Sequence, residues 1–194
     1  MMENKFDFDF DFNFDFDLDE NEENLLKKRI KFDLQSSAKK IFGKIIPKKG
    51  ESIRFVSPAG GFSSCSVVLA IAKTTKIKSI KISTLRCGKK EAKALAALCI
   101  PDVEIVCGGI ALENAEKYNY AIYLGAIAEE KGWKISYKRN HSKVILIDAD
   151  VGKITIETSS NFNENPQIEQ FCITNDEDVY NFYLGELKKN GVFT

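Results

Sequence analysis

The sequence predicts an α/β protein, a mixed and mainly parallel β-sheet flanked by helices. Three observations predict it. From residue 51 onward, strand-like and helix-like apolar patterns alternate as β-α-β-α-β-α, the order that joins parallel strands through helical crossovers. Between residues 133 and 176, four more strand patterns follow with no helix between them, adding hairpin-like members to the same sheet. Apolar residues make up 44% of a 194-residue chain, enough for one core of ordinary size.

The first 24 residues stand apart from that pattern. "FDFDFDFNFDFDLDENEEN", Phe6 to Asn24, alternates aromatic and acidic side chains. As a strand it would carry every Phe on one face, but its dense like charge and lack of a nearby partner favour a solvated, disordered tail. A second reading is an acidic aromatic peptide that mimics nucleic acid and lies across a basic body. Residues 1–24 hold ten acids against Lys5, a net charge of minus 9. The remaining 27 bases and 18 acids give plus 9, so a chain that is neutral as a whole has a basic body. A phosphate-rich ligand favours such a body.

Residues 25–50 read as a basic helical segment. Ser36 or Ser37 can cap a helix whose apolar positions Ala38, Ile41, Phe42 and Ile45 recur at helical spacing, with Pro47 and Gly50 ending it. Its lysines are either a solvated face or contacts to phosphate or to a membrane surface. The α/β domain then occupies residues 51–194. "SIRFVSP" is a strand and "GGFSSCSVVLAIAKTT" a Gly-rich turn feeding a buried helix. That turn lacks the G-K-[ST] ending of a P-loop and the three-glycine dinucleotide spacing, so it reads as a plain βα turn. "IKSIKIST" and "DVEIVCG" are strands, separated by the helix "GKKEAKALAALC". "ALENAEKYNYAIYLGAIAEEKG" is a long amphipathic helix. "WKISYKR", "SKVILIDA", "KITIETSSN" and "IEQFCITND" are strands, and "DEDVYNFYLGELKKN" is a closing helix.

Five scattered cysteines without a C-x-x-C pair argue against a disulfide framework or zinc site and for a reducing, cytoplasmic setting. No apolar run approaches a membrane span, and the acidic N-terminus lacks a secretory pattern.

Chemistry concentrates around the one histidine of the chain, in "NHSKVILIDAD". On a strand His141 and Lys143 leave the sheet on the same face, whereas Asp148 has the opposite parity and reads as a structural anchor. In "ETSSNFNENPQIEQF", Ser159 and Asn161 share parity at a strand end, and Glu169 opens the next strand. A carboxylate accepting from one imidazole nitrogen leaves the other with a free lone pair, a nucleophile. Lys143 and Asn161 are suitable donors for the non-bridging oxygens of a phosphate.

These residues resemble the phospholipase D superfamily. "H-S-K-V-I-L-I-D", His141 to Asp148, satisfies its H-x-K-x-x-x-x-D signature, "T-S-S-N" is similar to its following G-S-x-N element, and Glu169 resembles its later acidic residue. The strand and helix order from about residue 51 to 190 is similar to the small single-motif members, which include a bacterial endonuclease. Two departures stand out. Thr158 replaces the usual Gly, and the stretch from Asp148 to Ser159 is longer than usual, which a longer hairpin turn through "ADVGK" would absorb. The resemblance implies a phosphodiesterase acting through a phosphohistidine, with catalytic residues His141, Lys143, Ser159, Asn161 and Glu169, and with no metal and no cofactor. It also implies a second histidine to protonate the leaving oxygen. This chain has no other, so the expectation is a homodimer whose two chains share one site. Nucleic acid, DNA or RNA, is the expected substrate, with phospholipid or a non-catalytic nucleic-acid-binding module as the other readings.

Overall fold

The computed structural model describes residues 30–33, 45–57, 63–109, 120–163 and 167–194. In chain order the elements are β1 (Ile30–Asp33), β2 (Glu51–Ser57), α1 (Ser64–Ala72), β3 (Ile77–Thr84), α2 (Lys89–Ala96), β4 (Asp102–Gly108) and α3 (Tyr120–Lys131). They continue as β5 (Lys134–Lys138), β6 (Val144–Ala149), β7 (Gly152–Thr158), β8 (Glu169–Asn175) and α4 (Glu177–Lys189). The acidic stretch 1–24 and the proposed helix from Ser36 or Ser37 to Phe42 lie outside the described residues, as does the first part of the helix expected from residue 111. Within the segment read as basic and helical, residues 30–33 form a strand, and Ile45 and Ile46 are irregular.

The strands form one sheet in the order β1-β2-β8-β7-β6-β3-β4-β5. The pairs β1/β2, β3/β4 and β4/β5 are parallel. The pairs β2/β8, β8/β7, β7/β6 and β6/β3 are antiparallel. The sheet is mixed, as the sequence predicts, but its parallel pairing is confined to the two flanks. The crossover through α1 does not set β3 beside β2; it leaves a gap that β6, β7 and β8 fill. Strands returning through hairpin connections run against their predecessors, so the centre of the sheet is antiparallel.

Strand polarity has a direct consequence. The carboxyl ends of β2, β3, β4, β5 and β7 and the amino ends of β6 and β8 all lie at one end of the sheet. The α1 and α2 amino termini, which follow β2 and β3, lie there too.

The sheet is covered on both faces. On one, Val67, Val68 and Ile71 of α1, Leu95 of α2 and Leu124 of α3 pack on Phe55, Ile82, Ile105, Ile145, Ile147, Ile156 and Ile173. On the other, Tyr180 of α4, with Tyr183, Leu184 and Leu187, packs on Val106, Val144 and Leu146. β6 therefore feeds both cores from alternate residues, which explains its nearly unbroken apolar run. α4 is fixed at its start by Asp176, whose carboxylate accepts from the amides of Asp178 (2.9 Å) and Val179 (3.1 Å).

The extra length between Asp148 and Ser159 is not absorbed by a longer turn. Ala149 pairs with Gly152, so the β6–β7 turn contains only Asp150 and Val151, and the added residues lengthen the ladder instead. Gly152 has φ +135°, and a Cβ there would meet Asn175 Oδ1 at 2.5 Å. The tight turn and this close approach hold the hairpin short.

The chain end is held by Glu104, buried on β4. Its carboxylate accepts from Lys81 and from the Thr194 amide (2.8 Å) and hydroxyl (3.1 Å). Burial acts to raise its pKa, but the Lys81 and Thr194 donors outweigh burial and hold it below the ordinary 4.5. A depressed carboxylate contributes stability that is fully present above its ordinary pKa and lost as pH falls through the folded value. Acid titration of unfolding free energy should therefore show a shallower decline below pH about 4.5 in Glu104→Gln than in the wild type. Equal slopes in the two proteins would contradict this account.

Candidate active site

His141, Lys143, Ser159, Asn161 and Glu169 lie at the end of the sheet where the strand polarities meet, and Asp148 does not. His141, Ser142 and Lys143 do not belong to β6, which begins at Val144; they lead into it. Asn140 explains the difference. Its Oδ1 accepts from the Ser142 amide (3.0 Å) and hydroxyl (2.7 Å), so a side chain takes the place of ladder bonds. Its Nδ2 donates to Ser83 Oγ (2.8 Å), Val106 O (3.3 Å) and Thr84 O (3.4 Å), fastening the loop to β3 and β4.

His141 is exposed, and Lys143 folds back onto it. Lys143 Nζ lies 3.2 Å from His141 Nδ1 and donates to the His141 carbonyl at 2.9 Å. An ammonium has only donors, so Nδ1 accepts and a neutral ring carries its proton on Nε2. Burial pulls the Lys143 pKa below its ordinary 10.5, and the nearby charge of Glu169 works in the opposite direction.

Glu169 opens β8 and is only 6% exposed. Ser57, its partner in the β2 register, accepts from the Glu169 amide at 3.2 Å. The Ser159 hydroxyl donates to Glu169 Oε2 and accepts from the Gln170 amide at 3.0 Å. Thr158, which replaces Gly in the motif, donates its hydroxyl to Gln170 O (2.7 Å) and accepts from the Ser160 amide (2.9 Å). The substituted residue thus braces the turn that presents Ser159.

Asn161 follows on an irregular stretch pinned from both sides. Ser64, at the start of α1, donates to the carbonyls of Ser160 and Asn161, each at 2.9 Å. The Phe162 amide donates to Thr84 Oγ1 (3.0 Å) and Arg86 O (3.1 Å), and its ring is buried at 1% exposure. Asn161 Oδ1 is buried and has no hydrogen-bond partner among the described residues.

Asp148 stands away from this group. It lies on the α4 face near the other end of β6, bound to Lys153 at 2.6 Å, and its charge contributes to raising the Tyr180 pKa behind the main cause, burial. The structure thus brings together His141 with Lys143, and Ser159 with Glu169, with the Lys143 ammonium in the field of Glu169. Asn140, Ser57 and Ser64 complete the frame and were not foreseen. Only Asn140, directly before His141, carried a signal, since Asn readily accepts from an amide two residues on.

A groove opens beside the site on the α4 side of the sheet. α4 packs over β6 and β7, and among the described residues the β8 and β2 part of that face is left open. The groove has a volume of about 400 Å³ and is lined by Arg54, Val56, Lys143, Glu157, Gln170 and Cys172, among others. Tyr183 donates its hydroxyl to Glu157 Oε1, and burial, then this carboxylate, push the Tyr183 pKa up to about 12. Among the described residues no three His, Cys, Asp or Glu side chains converge on a possible metal position, and no helix is long and apolar enough to cross a membrane.

The mixed α/β sheet with helices on both faces is phospholipase D-like in its fold. The solved structure of polyphosphate kinase from Porphyromonas gingivalis is similar over 73% of this chain, with a TM-score of 0.52 and 15% identity. The chain spans 26% of that protein's length. No family model matches the sequence, and no curated protein does.

Asn140→Ala removes the clamp on the His141 loop and leaves the Thr84 and Val106 carbonyls and the Ser142 amide without this partner. It should lower unfolding free energy by about 2–3 kcal/mol, read from urea denaturation. A loss within experimental error of zero would show that the loop is held otherwise.

Proposed function

We propose that this protein is a metal-independent phosphodiesterase that cleaves nucleic acid through a phosphohistidine, at a site completed by a second copy of the chain. The observation that supports it most is the convergence of separate segments at one end of the sheet. An exposed imidazole, a half-buried ammonium against it, and a serine-bound buried carboxylate arrive from the β6 lead-in, the β7 exit and the start of β8. The phospholipase D-like fold supports the reading as well.

Each group has a role in it. Nε2 of His141 attacks phosphorus, and the leaving oxygen departs from the opposite side. Lys143 and Asn161 donate to the non-bridging oxygens, whose negative charge grows in the pentavalent state. Glu169 and Ser159 hold a fixed negative and hydrogen-bonding wall beside Lys143. For Nε2 to attack, the ring proton must pass through solvent to Nδ1, and Lys143 must release Nδ1. An entering phosphate does this by drawing the ammonium to its own oxygens.

The leaving oxygen needs a proton from the far side, and water must later be activated there. One imidazole cannot stand on both sides of one phosphorus. With a single histidine in the chain, the second is that of another copy related by a two-fold axis. The basic body supports a polyanionic substrate held largely through sequence-independent contacts.

His141→Ala should lower cleavage of DNA or RNA by at least roughly a thousandfold, while EDTA leaves the wild-type rate unchanged. Specific activity should fall on dilution in step with the dimer fraction measured by sedimentation. A monomer cleaving at full rate would refute the shared site.

The lowered Lys143 pKa carries a further consequence. The reaction needs the charged ammonium, so the alkaline limb of the pH–rate profile should begin below the range of an ordinary lysine. Lys143→Arg, which keeps its charge, should shift that limb upward even where it lowers the rate. An unshifted limb would assign it to another group.

A further inference from the structure

Arg54 and Glu157 are oppositely charged, line one cavity and do not pair with each other. In register, Arg54 faces Cys172, Cys172 faces Glu157, and Glu157 faces Val144, so the four form one row across β2, β8, β7 and β6. At about 4.8 Å per strand, the Arg54 and Glu157 backbones stand roughly 10 Å apart, and Glu157 is one strand from the Lys143–Val144 end of the row. Arg54 holds no ion pair among the described residues, and Glu157, which accepts at Oε1 from Tyr183 and has the Cys172 thiol beside it, has no cationic partner there. Cys172 stands between them, and the lining also includes Val56, 42% exposed, and Val144 beyond Glu157. Such a cavity suits a ligand with an anionic end, an apolar body and a hydrogen-bond donor.

We infer that this groove is a base-selective subsite for an unpaired nucleotide next to the scissile phosphate, with Glu157 as its specificity-determining residue. The inference rests on the nuclease reading above. With the scissile phosphate at His141 and Lys143, the adjoining nucleoside enters the groove beside Glu157, and the next phosphate runs toward Arg54. The fixed carboxylate accepts from the exocyclic amino group of cytosine or adenine, whereas thymine presents a carbonyl at the corresponding position and is repelled. In a duplex one amino hydrogen stays exposed in the major groove, but a base that enters the groove bodily must first leave its partner. A volume of about 400 Å³ is on the scale of one small ligand.

The test uses the full chain with His141→Ala, so that binding is read without cleavage. Fluorescence anisotropy compares oligo(dC), oligo(dA) and oligo(dT) of equal length. The first two should bind about tenfold more tightly than oligo(dT), the effect of one hydrogen bond to a charged acceptor. Adding Glu157→Gln should bring the three within about twofold, and Tyr183→Phe, which frees the carboxylate to rotate, should narrow the ratio without deleting the charge. Arg54→Ala should weaken all three alike. Equal wild-type affinities, or a ratio that survives Glu157→Gln in a protein of wild-type circular dichroism, would overturn the subsite. Binding only to phosphatidylethanolamine vesicles would overturn it too, assigning the carboxylate to an amine headgroup. Cleavage by the wild-type chain is measured in parallel. Cleavage without base preference sinks the subsite alone, and base-selective binding without cleavage sinks only the catalytic reading.

Discussion

The antiparallel centre of the sheet is the constraint on which the candidate site depends. β2 and β3 run the same way but leave a gap three strands wide, and β6, β7 and β8 close it. Because β6 and β8 run against their neighbours, their first residues meet the last residues of β2, β3 and β7. Positions 57, 143, 159 and 169, far apart in sequence, are thereby gathered at one end. Register matters as much as polarity. Thr158 pairs with Phe171, which carries Ser159 past the strand end to Gln170 and Glu169. A slip of one residue in that ladder would reverse the face of every side chain on β7 and part Ser159 from Glu169. The stacked Phe55 and Phe171 rings, 5.1 Å between centroids, hold the neighbouring β2–β8 ladder from the core side.

Much of this was legible because the strands are long apolar runs bounded by polar turns. "IKSIKIST" and "DVEIVCG" lie where their patterns place them, and "SKVILIDA" does so from Val144 onward. Three features were not legible, for separate physical reasons. β1 is four residues long, "IKFD", and so short a strand among basic residues has no periodicity to betray it. The gap between β2 and β3 is a matter of long-range pairing, which a β-α-β pattern cannot distinguish from direct adjacency. The extra residues after Asp148 look like turn material, but Gly152 and Asn175 enforce a two-residue turn and pass the length to the ladder.

Within the site, the residue types were legible and the connections between them were not. His141 and Lys143 share parity in an ideal strand, yet what brings them together is a loop shaped by Asn140, in which Lys143 reaches both the ring and the carbonyl of His141. Thr158 in place of Gly reads as a departure from the motif. In the fold its hydroxyl supplies two hydrogen bonds that a glycine would leave to water. The groove residues Arg54 and Glu157 sit on exposed faces of otherwise apolar strands, an ordinary pattern. What sets them apart is that α4 packs over β6 and β7 and, among the described residues, leaves the adjoining β8 and β2 surface bare.

The contact between Lys143 and His141 also bears on how such a site could rest between reactions. While the ammonium sits on Nδ1, the lone pair of the ring is occupied and its proton is on Nε2, so the imidazole is not armed for attack from that nitrogen. The ammonium itself is held in a partly buried position, disfavoured by desolvation and favoured by the charge of Glu169. A phosphate offers the same cation a full negative charge and two or more oxygens, a stronger partner than a neutral ring nitrogen. Under the proposed phosphodiesterase reading, a bound phosphate would displace this contact and take the Lys143 ammonium to its own oxygens. The same reading needs no separate conformational switch, because the charge of the phosphate would perform the rearrangement.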